Sequence, residues 1–293
     1  MHLWQVVLLA VMQGLTELLP VSSSAHVIVA AKLLHQNMST PANALLLVLL
    51  HTGTMFAVIV YFWRRWVREF LSSWAKLLRF VKLVFAATLL TGMVGYPIIF
   101  AVEHVLGHGG HRAEIEALFD RLDWIAPALA AVGVLIIYAG LREARQPETQ
   151  GTGGQREIRW PEAIAMGVVQ GFAIPFRGFS RSGSTISGGL LAGGRRAEIE
   201  CFSFAMAVAI TPLAIGREAL RVFRSSHVPA GSTPWTMAVS PGLVGMICAF
   251  GAGLLALYWL SRWLDEGRWY WFGIYCLAAA AVVECLWLFV LPK

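Results

Sequence analysis

Residues 13–26 read Gln13-Gly14-Leu15-Thr16-Glu17-Leu18-Leu19-Pro20-Val21-Ser22-Ser23-Ser24-Ala25-His26, between two apolar runs. In a soluble chain this stretch would pass as a loop between helices. The composition around it points elsewhere. Of 293 residues, 57% are hydrophobic and only 14% charged, and the mean hydropathy is +0.65; a soluble domain carries about 25% charged residues. Apolar blocks at 42–62, 83–102, 124–141, 202–220, 238–260 and 269–291 are each close to the roughly 20 residues that cross a bilayer. Backbone in lipid must satisfy its own hydrogen bonds, so all six are expected to be helices. A large soluble helical core, the bland alternative, leaves these long runs unexplained.

Residues 1–35 and 161–197 are too broken to span. The first is interrupted by Gly14, Pro20 and the run Ser22-Ser23-Ser24, the second by Pro175, Arg177, Gly178 and Ser180-Arg181-Ser182-Gly183. Each reads as a short helix, a polar break and a second short helix, which describes a re-entrant hairpin. Such breaks survive at membrane depth only where protein or a wet cavity covers them. The expected fold is therefore an all-α integral membrane protein, a single membrane domain of six transmembrane helices plus two re-entrant helical hairpins. Its halves, about 1–141 and 161–293, look alike. Gln13-Gly14 precedes one serine cluster and Gln170-Gly171 the other, and Ser23 and Ser180 each follow their glutamine by ten residues. Three spans follow each hairpin, an odd number, so the second half enters from the opposite face as an inverted-topology repeat. Such repeats place a site near the midplane, with the N-termini of broken helices able to face an anion.

The net charge of +6 would invite nucleic acid in a soluble chain; here topology accounts for it, and no nucleic-acid partner is expected. If both hairpins return to their side of entry, Arg64, Arg65, Arg68, Lys76, Arg79, Lys82, Arg142, Arg145, Arg156, Arg159, Arg195, Arg196, Arg262 and Arg268 share one side. Lys32, Arg112, Arg121, Arg217, Arg221, Arg224 and Lys293 fall on the other. Fourteen against seven makes the first side cytoplasmic and turns both termini outward. Trp63, Trp66, Trp124, Trp235, Trp263 and Trp269 lie near block ends and read as an aromatic belt. Cys201, Cys248, Cys276 and Cys285 lack metal-ligand spacing and read as packing residues. No Lys or Arg precedes the first apolar run, so the start is expected to belong to the mature protein.

Polar groups at membrane depth are costly and need a reason. The first hairpin offers Gln13, Thr16, Glu17, Ser22, Ser23, Ser24 and His26; the second offers Gln170, Arg177, Ser180, Arg181, Ser182, Ser184 and Thr185. A carboxylate, an imidazole, two guanidiniums and several hydroxyls suit phosphoryl transfer: Arg grips phosphate oxygens, helix N-termini share the charge, and Ser or His attacks phosphorus. Glu17 can activate a nucleophile or hold a divalent cation. Blander roles stand beside these. Two of the three consecutive serines can cap a helix, Glu17 can simply neutralise Arg181, His26 can hydrogen-bond inside its hairpin, and His51 can pack between helices.

At these residues the chain resembles the bacterial undecaprenyl-diphosphate phosphatases, also called bacitracin-resistance proteins. Residues 13–26 resemble the first signature of that family, and Gly178-Phe179-Ser180-Arg181-Ser182-Gly183-Ser184-Thr185 is similar to the second. His51-Thr52-Gly53-Thr54, Val60-Tyr61-Phe62-Trp63 and Phe202-Ser203-Phe204 match further landmarks, so the resemblance runs nearly end to end. It implies an inverted repeat with two re-entrant hairpins in the bacterial inner membrane and a site open to the outer, periplasmic face. The implied reaction is hydrolysis of undecaprenyl diphosphate to the monophosphate with a divalent cation, Mg²⁺ or Ca²⁺. That reaction recycles the lipid carrier for cell-wall polysaccharide synthesis and confers bacitracin resistance. By the same resemblance Glu17 is an acid of the family motif and a metal ligand, Ser23 the nucleophile, His26 the catalytic histidine and Arg181 the phosphate-binding arginine. Ser180, Ser182 and Thr185 match flanking hydroxyls, and His51 joins the substrate-binding set. Gln13 replaces an acid of the motif and Arg177 a proline, and an extra residue separates Gln170 from Ser180. From the residues alone, Ser23 and His26 both stand as nucleophiles. A transporter or flippase, or an inactive binder of an anionic polyprenyl lipid, remains the rival class, and a homodimer is the assembly left open.

Overall fold

The computed structural model describes residues 1–36, 41–106, 122–145, 157–225 and 234–289, which form ten helices and no strand among the described residues. In chain order they are α1 (Leu3–Leu18), α2 (Ser23–Leu33), α3 (Pro41–Glu69), α4 (Trp74–Leu106), α5 (Leu122–Ala144), α6 (Trp160–Ala173), α7 (Arg181–Leu191), α8 (Arg196–Ser225), α9 (Pro234–Asp265) and α10 (Trp269–Phe289). At about 1.5 Å per residue, none of α1, α2, α6 and α7 reaches across a hydrocarbon core of about 30 Å. The broken regions are thus two pairs of short helices, as the polar breaks predict.

Five helices among the described residues are long and apolar enough to cross a membrane: Asn43–Glu69, Trp74–Val102, Asp123–Ala144, Pro241–Asp265 and Trp269–Phe289. They turn large apolar side chains outward, among them Phe85, Val134, Ile247 and Val282. That surface suits lipid and not water, so the chain is a multi-pass integral membrane protein. The sixth expected span, 202–220, lies inside α8, a helix of 30 residues whose first turns carry Arg196, Glu198 and Glu200; it is not among those five.

Helix packing repeats in part across the halves. Exchanging α1 with α6, α3 with α8, α4 with α9 and α5 with α10 maps the α1–α9 contact onto α6–α4 and the α3–α9 contact onto α8–α4. The α3–α8 and α5–α10 contacts map onto themselves. The two Gln-Gly pairs mark this exchange. A Cβ on Gly14 would lie 2.6 Å from the carbonyl oxygen of Ala249 in α9, and one on Gly171 would lie 3.0 Å from that of Thr91 in α4. Glycine therefore lets each hairpin press its first helix onto the long helix of the opposite half.

One end of the molecule gathers the charged helix ends. Arg196 grips Glu143 through Nε at 2.5 Å and Nη2 at 2.8 Å, and reaches the Asp265 carbonyl at 2.9 Å. Arg79 pairs with Glu157 and donates to the Ile158 carbonyl at 3.1 Å. The start of α4, both ends of the α5–α6 connection, the start of α8 and the end of α9 therefore share one pole. Arg112, Arg121, Arg156 and Lys293 lie outside the described residues. Two expectations are corrected. The charged 63–82 stretch is not a long loop: α3 runs on to Glu69 and α4 restarts at Trp74, because both helices continue beyond their apolar blocks. Trp66 and Trp269 are core residues and not belt residues, since each indole N–H has an internal partner, the Cys201 carbonyl and the Ser187 hydroxyl.

Candidate active site

The two hairpins turn by the same device. Between α1 and α2, Ser22 has φ +66°; between α6 and α7, Ser180 has φ +31°. Each serine is an N-cap, Ser22 Oγ accepting from the Ala25 N–H at 3.5 Å and Ser180 Oγ from the Gly183 N–H at 3.3 Å. The tips meet. Ser182 Oγ donates to the Leu19 carbonyl at 3.2 Å, and Gly183 lies against Pro20. The first residues of α2 and α7, Ser23 and Arg181, are therefore structural counterparts, and the match of Ser180 is Ser22. Pairing Ser23 with Ser180 by equal counts from each glutamine is off by one, because residues 174–180 make a longer connection than residues 19–22.

At the junction of the tips sits Glu17, projecting from the last turn of α1. Ser23 Oγ donates to Glu17 Oε2 at 2.5 Å, and Gln13 Nε2 donates to the same oxygen at 3.1 Å. Arg181 Nη2 donates to Glu17 Oε1 at 3.5 Å, an ion pair that joins the hairpins. His51 of α3 brings Nε2 within 3.8 Å of Oε2, while its Nδ1 faces the Leu47 carbonyl at 2.8 Å. Arg181 Nη1 is buried and has no hydrogen-bond partner among the described residues. The arrangement thus offers a hydroxyl with a base beside it, and next to both a guanidinium edge with an unused donor. Such a donor can donate to a phosphate oxygen.

The remaining expected residues surround this cluster differently. Ser180, Ser182 and Thr185 spend their hydroxyls on the turn that carries Arg181. Ser180 caps α7, Ser182 binds the opposite tip, and the fully buried Thr185 lies 2.8 Å from the Arg181 carbonyl and 2.6 Å from Ser203 Oγ. Arg177 stands exposed in the second turn. His26 faces away from Glu17: Nδ1 lies 2.8 Å from the Ser22 carbonyl and Nε2 lies 2.7 Å from the hydroxyl of Tyr275 in α10. Sequence reasoning missed Tyr275. A tyrosine within an apolar block also looks like an interfacial aromatic, and nothing local marks which side chain it meets.

For a cation the donor set is narrow. Among the described residues no three His, Cys, Asp or Glu side chains stand together. Three neighbours of Glu17 are donors: an amide, a hydroxyl and a guanidinium. These residues fit a hard divalent ion only as a companion of an incoming phosphate group, with Glu17 as its one protein carboxylate.

Comparison with known proteins bears on this geometry. The model of a family described as bacitracin resistance protein BacA matches residues 6–282. An Acinetobacter baylyi protein named undecaprenyl-diphosphatase 2 is 47% identical over 288 residues, covering 98% of each chain. A Rhodopirellula baltica undecaprenyl-diphosphatase is 32% identical over 97% of this chain and 98% of its own. A Mycobacterium leprae undecaprenyl-diphosphatase is 35% identical over 93% of this chain and 90% of its own.

Proposed function

The chain belongs to the bacitracin resistance protein BacA family, and from that premise we propose that it hydrolyses undecaprenyl diphosphate to undecaprenyl phosphate and inorganic phosphate. The observation that carries this reading is the meeting of Ser23, Glu17 and Arg181 where the two hairpin tips touch. Returning the lipid carrier to its monophosphate form serves cell-wall polysaccharide synthesis and accounts for the resistance in the family's name.

The diphosphate enters between the tips while the polyprenyl tail stays among the spans. Arg181 holds oxygens of the terminal phosphate, and the N-terminal N–H groups of α2 and α7 share its charge. Glu17 takes the hydroxyl proton as Ser23 Oγ bonds to the terminal phosphorus. The bond from that phosphorus to the bridging oxygen breaks, and its electron pair leaves with undecaprenyl phosphate. Water then attacks the phosphoserine, the Ser23 hydroxyl regains a proton, and inorganic phosphate departs. Ser23 is favoured over His26 as nucleophile because it has a base at 2.5 Å, whereas both nitrogens of His26 have other partners. His26 exchanges protons at the lip of the site. A divalent cation held by Glu17 together with the diphosphate would neutralise phosphate charge. The excess of basic residues makes the charged pole cytoplasmic, so the site is assigned to the outer face of the inner membrane.

Release of phosphate from undecaprenyl diphosphate by purified protein in detergent tests this reading. A transporter or flippase would instead move the lipid across a sealed vesicle without release, and an inactive binder would do neither.

A further inference from the structure

The signature residues come from the hairpins and α3 adds His51, yet a further element, α10, reaches the site. α10 crosses α5 closely: a Cβ on Gly273 would fall 2.5 Å from the Gly133 carbonyl oxygen, and one on Gly133 would fall 2.9 Å from that of Gly273. Neither position has room for a side chain, so the register of α10 on α5 is fixed here. Just beyond this crossing, two consecutive residues grip the first hairpin. Cys276 Sγ lies 3.3 Å from the Pro20 carbonyl, and Tyr275 Oη lies 2.7 Å from His26 Nε2 with the two rings stacked at 5.7 Å. On the other side of the imidazole, Nδ1 faces the Ser22 carbonyl at 2.8 Å. A carbonyl only accepts, so Nδ1 carries a proton and Nε2 of the neutral ring accepts from the phenol.

We propose that Tyr275 is a positioning residue for His26 in the hydrolysis described above, on which this inference rests. A phenol hydroxyl donates to a bare Nε2 and accepts from a protonated one. It therefore keeps the ring in place on both sides of a proton transfer. A carboxylate there would favour the imidazolium, and an apolar residue would leave the ring held only through Nδ1. The second anchor of the ring is the carbonyl of Ser22, the residue before Ser23, so the orientation of the imidazole is tied to the turn that presents the nucleophile. α10 supplies the constraint from the far end of the chain.

Tyr275→Phe keeps the stacked ring and removes only the hydroxyl. It should lower kcat about tenfold, short of the roughly 10²-fold that a misplacement of about 1 Å costs, with KM within about twofold. Added to His26→Gln it should cost nothing further, because the tyrosine acts through that histidine. A readout separate from turnover is carbethoxylation of His26 by diethyl pyrocarbonate, followed by peptide mass spectrometry. Loss of the phenol bares Nε2, so Tyr275→Phe should be modified severalfold faster. This rate decides the matter if His26→Gln turns over too slowly for the pair to be compared. Native kcat in Tyr275→Phe, additive losses in the pair, or an unchanged modification rate overturns the role while leaving the hydrolase reading intact. Absence of phosphate release by the native protein overturns that reading, and this role with it.

Discussion

Each hairpin turns on a left-handed serine cap, yet the glutamine ahead of each turn faces different surroundings. Gln13 points its amide at Glu17, in a cluster with Ser23, His51 and Arg181. Gln170 points its amide at Thr91 of α4, at 3.2 Å, fully buried and away from the junction. At the helix starts the contrast continues, with a hydroxyl at Ser23 and a guanidinium at its counterpart Arg181. A repeated backbone has become two unlike reagents: one tip carries the nucleophile and its base, the other the anion holder. The shared features belong to the turn, and the differing ones belong to the chemistry.

Breaking the first tip should have the largest effect. Glu17→Gln preserves shape but removes the base, and should cut kcat by roughly 10²–10⁴, the range that general bases supply. Ser23→Ala should be at least as damaging in the same phosphate-release assay. Near-native turnover in either would move the chemistry away from this tip.

The same substitution in both glutamines should then separate the hairpins by stability. Gln170→Glu buries a carboxylate beside a lone hydroxyl, where an uncompensated charge costs about 3–5 kcal/mol; thermal unfolding in detergent should show a large drop. Gln13→Glu adds a second carboxylate beside Glu17, near Arg181 and His51. It should fold and lower the divalent-cation concentration needed for half-maximal turnover. Equal behaviour of the two variants would mean that the hairpins do not differ as described.

At the second tip, Arg181→Lys keeps the charge but loses the planar fork. Turnover should fall on the order of tenfold or more, and further in Arg181→Ala. Smallest of all are the shared caps. Ser22→Ala and Ser180→Ala should each cost about 1 kcal/mol in thermal unfolding, alike at both tips. A large difference between them would show that one cap also serves the chemistry.

Much of this was legible in the sequence because hydrophobic length and helix breaks are local. Pro20 and the serine run mark one hairpin, Pro175 and the Ser180 cluster the other, and both lie where the helices stop; Gly14, expected as a break, stays inside α1 and packs on α9. The Glu17, Ser23 and Arg181 cluster followed from signature residues. Other features depend on what lies across a helix interface, which composition cannot report. Trp66 and Trp269 sit at block ends like belt residues but turn inward to Cys201 and Ser187. The register of the repeat slipped because two connections differ in length while their flanking motifs match. Charges at residues 63–82 read as loop, since a helix that emerges from lipid carries the same residues. Tyr275 required knowing how α10 crosses α5.

The contacts at the first tip also have a consequence for biogenesis. The guanidinium that meets Glu17 lies 164 residues later in the chain, the phenol that meets His26 249 residues later, and the thiol that meets the Pro20 carbonyl 256 residues later. At about 5–20 residues per second, a ribosome needs on the order of ten seconds or more to supply the last of these. Until then the first hairpin holds an imidazole and a backbone carbonyl without their final partners, and for a shorter time a carboxylate. α10 thus completes the first hairpin long after that hairpin is made.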